Sequence, residues 1–396
     1  MDFRQNDALA EYRQRAAQWV QDNVDPSWAV EQSATGTYHT WELHRRMAMD
    51  GLLASNWPAE YGGSDVDPNF AYAVTQALAD AGLHLDGWVT TEMVLRTVLA
   101  VGTEEQKQEW VRAGLAGEML IVLGYSEPGS GSDAAAAATR AVRDGDEWLI
   151  NGSKMFTSTA HEATHVFMLT RSNTEVAKHK GLSMFMLALD APGVEIQPIH
   201  TLGGQRTNAT FYTDVRVPDS WRVGEVDGGW TVMRVALIHE RATPAAPITT
   251  LWAERAAKWA KWAKQADGSA VYDDPIVKEK LGWIAIENEV ARLLGLRTQA
   301  ALNTPQGPTF EGPESKLFYA EANIRHYATV LDLAGEQAVI QSPASRIADK
   351  SNENFIGATE GAYRRSLVGA IYGGSTEVMR EIVAERVLLL PRTRSK

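Results

Sequence analysis

Ile371-Tyr372-Gly373-Gly374-Ser375-Thr376-Glu377 lies near the C-terminal end of a 396-residue chain. Paired glycines let the backbone turn where a β-carbon would forbid it. The apolar spacing that follows, from Val378 to Leu390, reads as an amphipathic helix opened by that turn. Glu377 falls in the first turn, where a negative charge meets the positive end of the helix dipole. What the stretch lacks also counts: Gly373 presents no side chain, so any chemistry at that point must come from elsewhere in the chain.

Working outward, helical periodicity extends back from this turn as far as Trp230. Upstream the pattern changes. Trp148-Leu149-Ile150, Val166 to Leu169 and Ser183 to Leu187 are apolar runs of strand length, Asn208 to Val217 alternates and stops at Pro218, and Asn151-Gly152 and Pro192-Gly193 read as turns. Before Met119 the chain is helical again. Leu9, Tyr12, Ala16, Trp19 and Val20 recur at helical spacing and end before Asp25-Pro26, a later helix closes at Gly51, and Trp57 to Gly63 makes a rigid loop. Helices, strands, helices: the expected class is α+β multidomain. An N-terminal helical domain (1–119) precedes a middle β-domain of sandwich or barrel type (120–226) and a C-terminal helical bundle (227–396).

Composition narrows the function. Apolar residues make up 44% and charged residues 22%, an ordinary globular balance. A net charge of -12 argues against sequence-independent nucleic-acid binding. There is no cysteine, which removes disulfides, thiolate metal sites and cysteine nucleophiles. No apolar run is long enough for a membrane span, and the polar N-terminus has no signal core. A cytoplasmic location is expected.

Several segments in fixed order resemble the acyl-CoA dehydrogenase family. They are Gly51 to Leu53 with Pro58 to Gly63, Gly102 to Lys107, Tyr125-Ser126-Glu127-Pro128-Gly129-Ser130-Gly131-Ser132-Asp133, Asn151 to Ser158, Gly203 to Arg206, Val215 to Pro218, Gly228 to Trp230, and Tyr372 to Arg386. The resemblance covers most of the chain and thins between about residues 245 and 345. It implies a flavin adenine dinucleotide (FAD) enzyme that converts an acyl-CoA thioester to the 2,3-enoyl-CoA. By position in the family motifs, Leu123, Tyr125, Ser126, Gly131, Ser132, Phe156 and Ser158 should line the flavin or the adjacent thioester. Ser375 and Glu377 should meet the cofactor, and Ser132, Tyr372 and Gly374 the substrate. Phe156 stands where a tryptophan is common, so it keeps an aromatic wall without an indole donor. The resemblance further implies an electron-transfer flavoprotein as electron acceptor and a homo-oligomer, dimer or tetramer.

The reaction needs a carboxylate to take the α-proton while the β-hydrogen leaves as hydride to flavin N5. Many family members carry that glutamate where this chain has Gly373. Others, including the long-chain and isovaleryl enzymes, bring it from the helix after the β-domain, and Leu237-Ile238-His239-Glu240-Arg241 resembles that arrangement. Spacing agrees: Trp230, Met233, Leu237 and Glu240 share one helical stripe. A carboxylate so placed is desolvated, which favours a general base. Pro244 should kink or end the helix. Glu240 is therefore the expected base, the backbone N–H of Gly373 the expected partner of the thioester oxygen, and Arg241 a structural ion-pairing residue.

Three patterns are discounted. His161-Glu162-Ala163-Thr164-His165 has zinc-protease spacing but sits in a short link between strands. Gly129 to Ala134 imitates a dinucleotide fingerprint without the acidic residue or a second βαβ unit. Trp252, Trp259 and Trp262 among lysines suit core or subunit packing better than a membrane-surface helix. One departure from the family remains, since Lys261 to Asp273 lacks the R-x-x-F-G segment that reaches a neighbour's pyrophosphate. That leaves two rivals open: a mainly structural subunit of a heteromeric acyl-CoA dehydrogenase, and a flavin monooxygenase or nitroalkane-oxidase-like enzyme on the same fold.

Overall fold

The computed structural model describes residues 7–242, 247–302, 304, 309–343 and 349–391. They form two compact units, Met1–Thr201 with Gln205–His239, and Leu202–Gly204 with Glu240–Lys396. The boundary falls inside one helix, between His239 and Glu240.

The first unit opens with helices α1 (Asp7–Asn23), α2 (Pro26–Thr35), α3 (Trp41–Met49), α4 (Pro68–Asp80), α5 (Asp86–Val101), α6 (Glu104–Gln106) and α7 (Arg112–Leu115). The Asp25-Pro26 break works as expected: the Asp25 carboxylate accepts the Ser27 N–H at 2.8 Å while Pro26 takes the first helical position. Gly51 turns the chain at φ +70° after α3.

Strands follow: β1 (Ile121–Gly124), β2 (Arg140–Asp144), β3 (Glu147–Lys154), β4 (His165–Arg171), β5 (Leu182–Ala188), β6 (Val194–His200), β7 (Arg206–Pro218) and β8 (Arg222–Val223). They make a single mixed sheet in the order β6-β7-β3-β2-β4-β5-β8, with β1 pairing parallel to β4. The middle β-domain is there as expected, and of the sandwich or barrel forms left open by the sequence the closed barrel is not formed, because the sheet does not close. Its core gathers Val166, Met168, Phe185, Leu187, Trp148 and Ile150. These are the apolar runs that mark the strands in the sequence.

Asn151-Gly152 is not a turn. It lies within β3, opposite a bulge where register slips between Ile150↔Val215 and Gly152↔Tyr212. The Asn151 side chain clamps the extra residue, donating to the Asp214 carboxylate and accepting the Asp214 N–H, each at 2.9 Å. Close approach requires the glycine, because a β-carbon on Gly152 would sit 2.7 Å from the Thr139 α-carbon.

Helix α8 (Gly229–Ala242) carries the chain into the second unit, which adds α9 (Pro247–Trp262), α10 (Pro275–Leu302), α11 (Glu311–Ala334), α12 (Asn352–Gly369) and α13 (Thr376–Arg386). Trp259 is fully buried, and the Trp252 ring meets Tyr327 edge-on at 4.7 Å, so these two indoles pack in the bundle, while Trp262 is 47% exposed. Among the described residues no helix is long and apolar enough to cross a membrane.

Candidate active site

The turn between α12 and α13 is built by hydrogen bonds of its own. Ile371 and Tyr372 donate to the Val368 carbonyl at 2.9 and 3.1 Å, and the Thr376 N–H returns to the Ala370 carbonyl at 3.0 Å. Gly373 and Gly374 take φ +65° and +90°, the left-handed region that costs other residues roughly 1–2 kcal/mol. Ser375 then caps α13 through the Val378 N–H. Glu377 lies in its first turn, held below the usual carboxylate range by backbone hydrogen bonding and by Ser375. Both residues therefore have a helix-starting role here, alongside the cofactor role expected of them.

Glu240, Tyr372 and Gly373 come together in one cavity, completed by Gly312, Ser315, Lys316 and Tyr319 of α11. Its room of about 70 Å³ suits the few atoms of a reacting centre, roughly the space of two waters. A β-carbon on Gly373 would stand 3.4 Å from Glu240 Oε1 and 3.8 Å from Lys316 Nζ. The half-buried Glu240 carboxylate thus faces the space into which a side chain at position 373 would project. On α8, Met233 is buried while Trp230, Leu237 and Glu240 are partly so, which places the expected stripe on one face. The Arg241 side chain and Pro244 lie outside the described residues.

Lys316 was not anticipated. It is only 7% exposed, its ammonium donates to the Gly369 carbonyl at 2.8 Å, and it stands 4.3 Å from the Tyr372 ring centroid. Burial pulls it down to about 8, and the nearby Glu240 charge acts the other way. Tyr319 is pushed up by burial, then by Tyr372 and Glu240. A signal existed: Gly312, Lys316 and Ala320 recur every four residues on the buried face of α11, and a lysine in a stripe of small residues faces a neighbour, not water.

Apart from Ser375 and Glu377, the residues expected to bind flavin lie in the first unit. Half-buried Leu123 on β1 leads into Tyr125 and Ser126, and the Met155 N–H donates to the Ser126 carbonyl at 2.9 Å, laying the two segments side by side. Glu127 anchors them. Its carboxylate accepts the Ala138 and Thr139 N–H groups at 2.7 and 2.9 Å and the buried Lys154 ammonium at 2.7 Å. Burial opposes that charge, but Lys154 and the two amides hold Glu127 below its ordinary range, while burial lowers Lys154 to about 8.

Beyond Glu127, β-carbons added to Gly129 or Gly131 would meet nothing within 4 Å, and Gly131 and Ser132 are exposed. The Ser130 hydroxyl is buried without a partner among the described residues. Phe156 is 64% exposed at φ +61°, and packing explains neither the bare ring nor its strained backbone. Ser158 is exposed, its hydroxyl 3.0 Å from that of Thr207. Open space beside Gly129 and Gly131, hydroxyls and an uncovered aromatic ring fit FAD, which needs close backbone approach to its pyrophosphate and a flat wall for its ring.

The segment His161 to His165 is a turn leading into β4. His161 contacts Thr37 Oγ1 and Asn208 Nδ2, and His165 contacts Thr164 Oγ1, so no helix face unites the two histidines.

Three family models match: acyl-CoA dehydrogenase N-terminal domain over residues 6–118, middle domain over 122–215, and C-terminal domain over 227–388. Acyl-CoA dehydrogenase FadE26 of Mycobacterium tuberculosis is 33% identical, the match covering 91% of each chain. Among solved structures, the Tcur3481-Tcur3483 steroid ACAD is 33% identical with a TM-score of 0.86, covering 99% of this chain and 100% of that one. The ChsE4-ChsE5 complex from Mycobacterium tuberculosis is 31% identical with a TM-score of 0.88, covering all of both. This chain belongs to the acyl-CoA dehydrogenase family. It is accordingly an oxidoreductase acting on acyl-CoA, in a family of flavoproteins of acyl-CoA catabolism.

Proposed function

We propose that this chain binds FAD and dehydrogenates an acyl-CoA thioester between its α- and β-carbons, with Glu240 as the base. Bound FAD would supply the hydride acceptor, held by Leu123, Tyr125, Ser126, Gly131, Ser132, Phe156 and Ser158, with Ser375 and Glu377 at the α13 end. Glu240 removes the α-proton. The Gly373 N–H receives the thioester oxygen and stabilises the negative charge that develops there. Ser132, Tyr372 and Gly374 complete the substrate contacts.

One observation carries this reading: the 3.4 Å between Glu240 Oε1 and the missing β-carbon of Gly373. A base on either residue would reach the same point, so the bare glycine marks a moved base and not a lost one. The test is anaerobic flavin bleaching by a panel of butyryl-, octanoyl-, palmitoyl- and steroid-side-chain CoA thioesters. Glu240→Gln should stay yellow and fail to bleach. Bleaching at the wild-type rate would remove Glu240 from the mechanism, and oxygen consumption without acyl-CoA would favour the oxidase reading.

Similarity to a steroid ACAD favours a steroid-bearing thioester among these substrates. A second reading concerns assembly. Two structural relatives carry paired names, and residues 261–273 lack the segment expected to serve a neighbour's pyrophosphate. Both favour a different second subunit over a homo-oligomer. Flavin retained at one per chain in a single-gene preparation would decide for self-sufficiency. We assign the electron acceptor to an electron-transfer flavoprotein and the domains to 1–119, 120–226 and 227–396, a division supported by the matches at 6–118, 122–215 and 227–388.

A further inference from the structure

The cavity beside Gly373 contains a second charge that the reaction as described does not use. Lys316 Nζ and Glu240 Oε1 lie 3.8 and 3.4 Å from the same point, the absent β-carbon of Gly373, which puts them within about 7 Å of each other. The ammonium is tethered at both ends of the turn. It donates to the carbonyl of Gly369, the last residue of α12, where the helix dipole presents its negative end. It also lies against the Tyr372 ring at 4.3 Å, next to Gly373 itself. Among the described residues lining the cavity, the other ionisable groups are the phenols of Tyr319 and Tyr372. Tyr319 Oη is 3.5 Å from the ammonium, too long for a strong hydrogen bond.

We propose that Lys316 is a positioning residue for Glu240: it pins the 369–373 turn and keeps the carboxylate ionised opposite the Gly373 amide. The idea rests on Glu240 being the base. A carboxylate withdrawn from water tends to take up a proton, and a protonated Glu240 would be no base. A fixed cation within about 7 Å opposes this. Lysine suits the task because its single charge lies at the end of an apolar stem that α11 can bury.

Two measurements on the full-length protein test this. In the first, lysine carrying carbon-13 at Cε is incorporated and titrated by NMR without substrate. The Lys316 resonance is identified by its loss in Lys316→Arg. Its midpoint should lie near 8 and fall by about one unit in Glu240→Gln, the coupling expected over this separation in a partly buried site. A midpoint that does not move overturns the proposal.

In the second, anaerobic bleaching by the fastest thioester of the panel is followed across pH. Lys316→Met should move the acidic limb upward by about one unit, in addition to whatever rate the loosened turn costs at alkaline pH. Lys316→Arg should restore the limb. A profile scaled down uniformly, with its midpoint unchanged, would make Lys316 merely structural and overturn the proposal. Should Lys316→Met fail to fold, the lysine titration in Glu240→Gln still decides. Bleaching by Glu240→Gln at the wild-type rate would remove the base assignment and this inference together. An inert Glu240→Gln with an unmoved lysine would remove the inference alone.

Discussion

Replacing Gly373 with alanine separates the two things this glycine does. The first is conformational: at φ +65° an alanine costs roughly 1–2 kcal/mol. Steric cost adds little, because the new methyl would find its nearest neighbours at 3.4, 3.8 and 3.9 Å, ordinary contact distances. For a unit of this size that strain lowers Tm by about 2–8 °C. The second is chemical. The methyl would stand in the gap between Glu240 and Lys316, where the thioester's α-carbon must approach the base. Displacing a reacting atom by about 1 Å is worth about a hundredfold in rate, so saturating bleaching should fall by about that factor while most of the fold survives. Differential scanning calorimetry and stopped-flow bleaching on the same samples give both numbers. A folded Gly373→Ala that bleaches within twofold of wild type would refute the placement of the reacting carbon.

Three further outcomes are expected. Phe156→Gly should hold or raise stability by up to about 1 kcal/mol in urea, because it relieves a left-handed backbone and uncovers little, yet it should lose flavin on gel filtration; a loss of 2 kcal/mol or more would mean the ring is packed. Lys154→Met removes the partner of a buried carboxylate and should cost about 3–5 kcal/mol, with the Glu127→Gln, Lys154→Met double variant recovering part of it; a double variant no better than the single one would count against the pair. Buried His39 and His44 are held by burial at about 3 and about 4, below the unfolded value near 6.5. The unfolded chain therefore binds more protons in that window, so stability is level above about pH 6.5 and falls toward pH 4 by up to about 1.4 kcal/mol per unit for each histidine. His161 and His165 are lowered to about 4 as well, so His44→Leu should remove one histidine's share of the acid slope in urea titrations, and an unchanged slope would contradict the assignment.

Much of this was legible because burial writes itself into pattern. β4 and β5 are buried almost end to end, and Val166 to Leu169 and Ser183 to Leu187 are correspondingly unbroken apolar runs. By contrast β2 buries one residue of five and β6 none, so neither produces a pattern that marks it in the sequence. Asn151-Gly152 has the composition of a hairpin turn, but the Asp214 bulge across the sheet uses it instead. Of the cavity, Glu240 and Gly373 were expected from the resemblance to the family, with the helical stripe of Glu240 in agreement. Lys316 left only the faint signal of its small-residue stripe, because a lysine on a helix ordinarily lies in water; the carbonyl of Gly369, 53 residues away, shows where this one goes.

The most direct measurement is a crystal structure of the flavin-loaded protein with its acyl-CoA bound. The thioester's α-carbon should lie about 3–3.5 Å from a Glu240 carboxylate oxygen, with the thioester oxygen on the Gly373 N–H. An α-carbon more than about 5 Å from Glu240, or one approached by another carboxylate, would contradict the account.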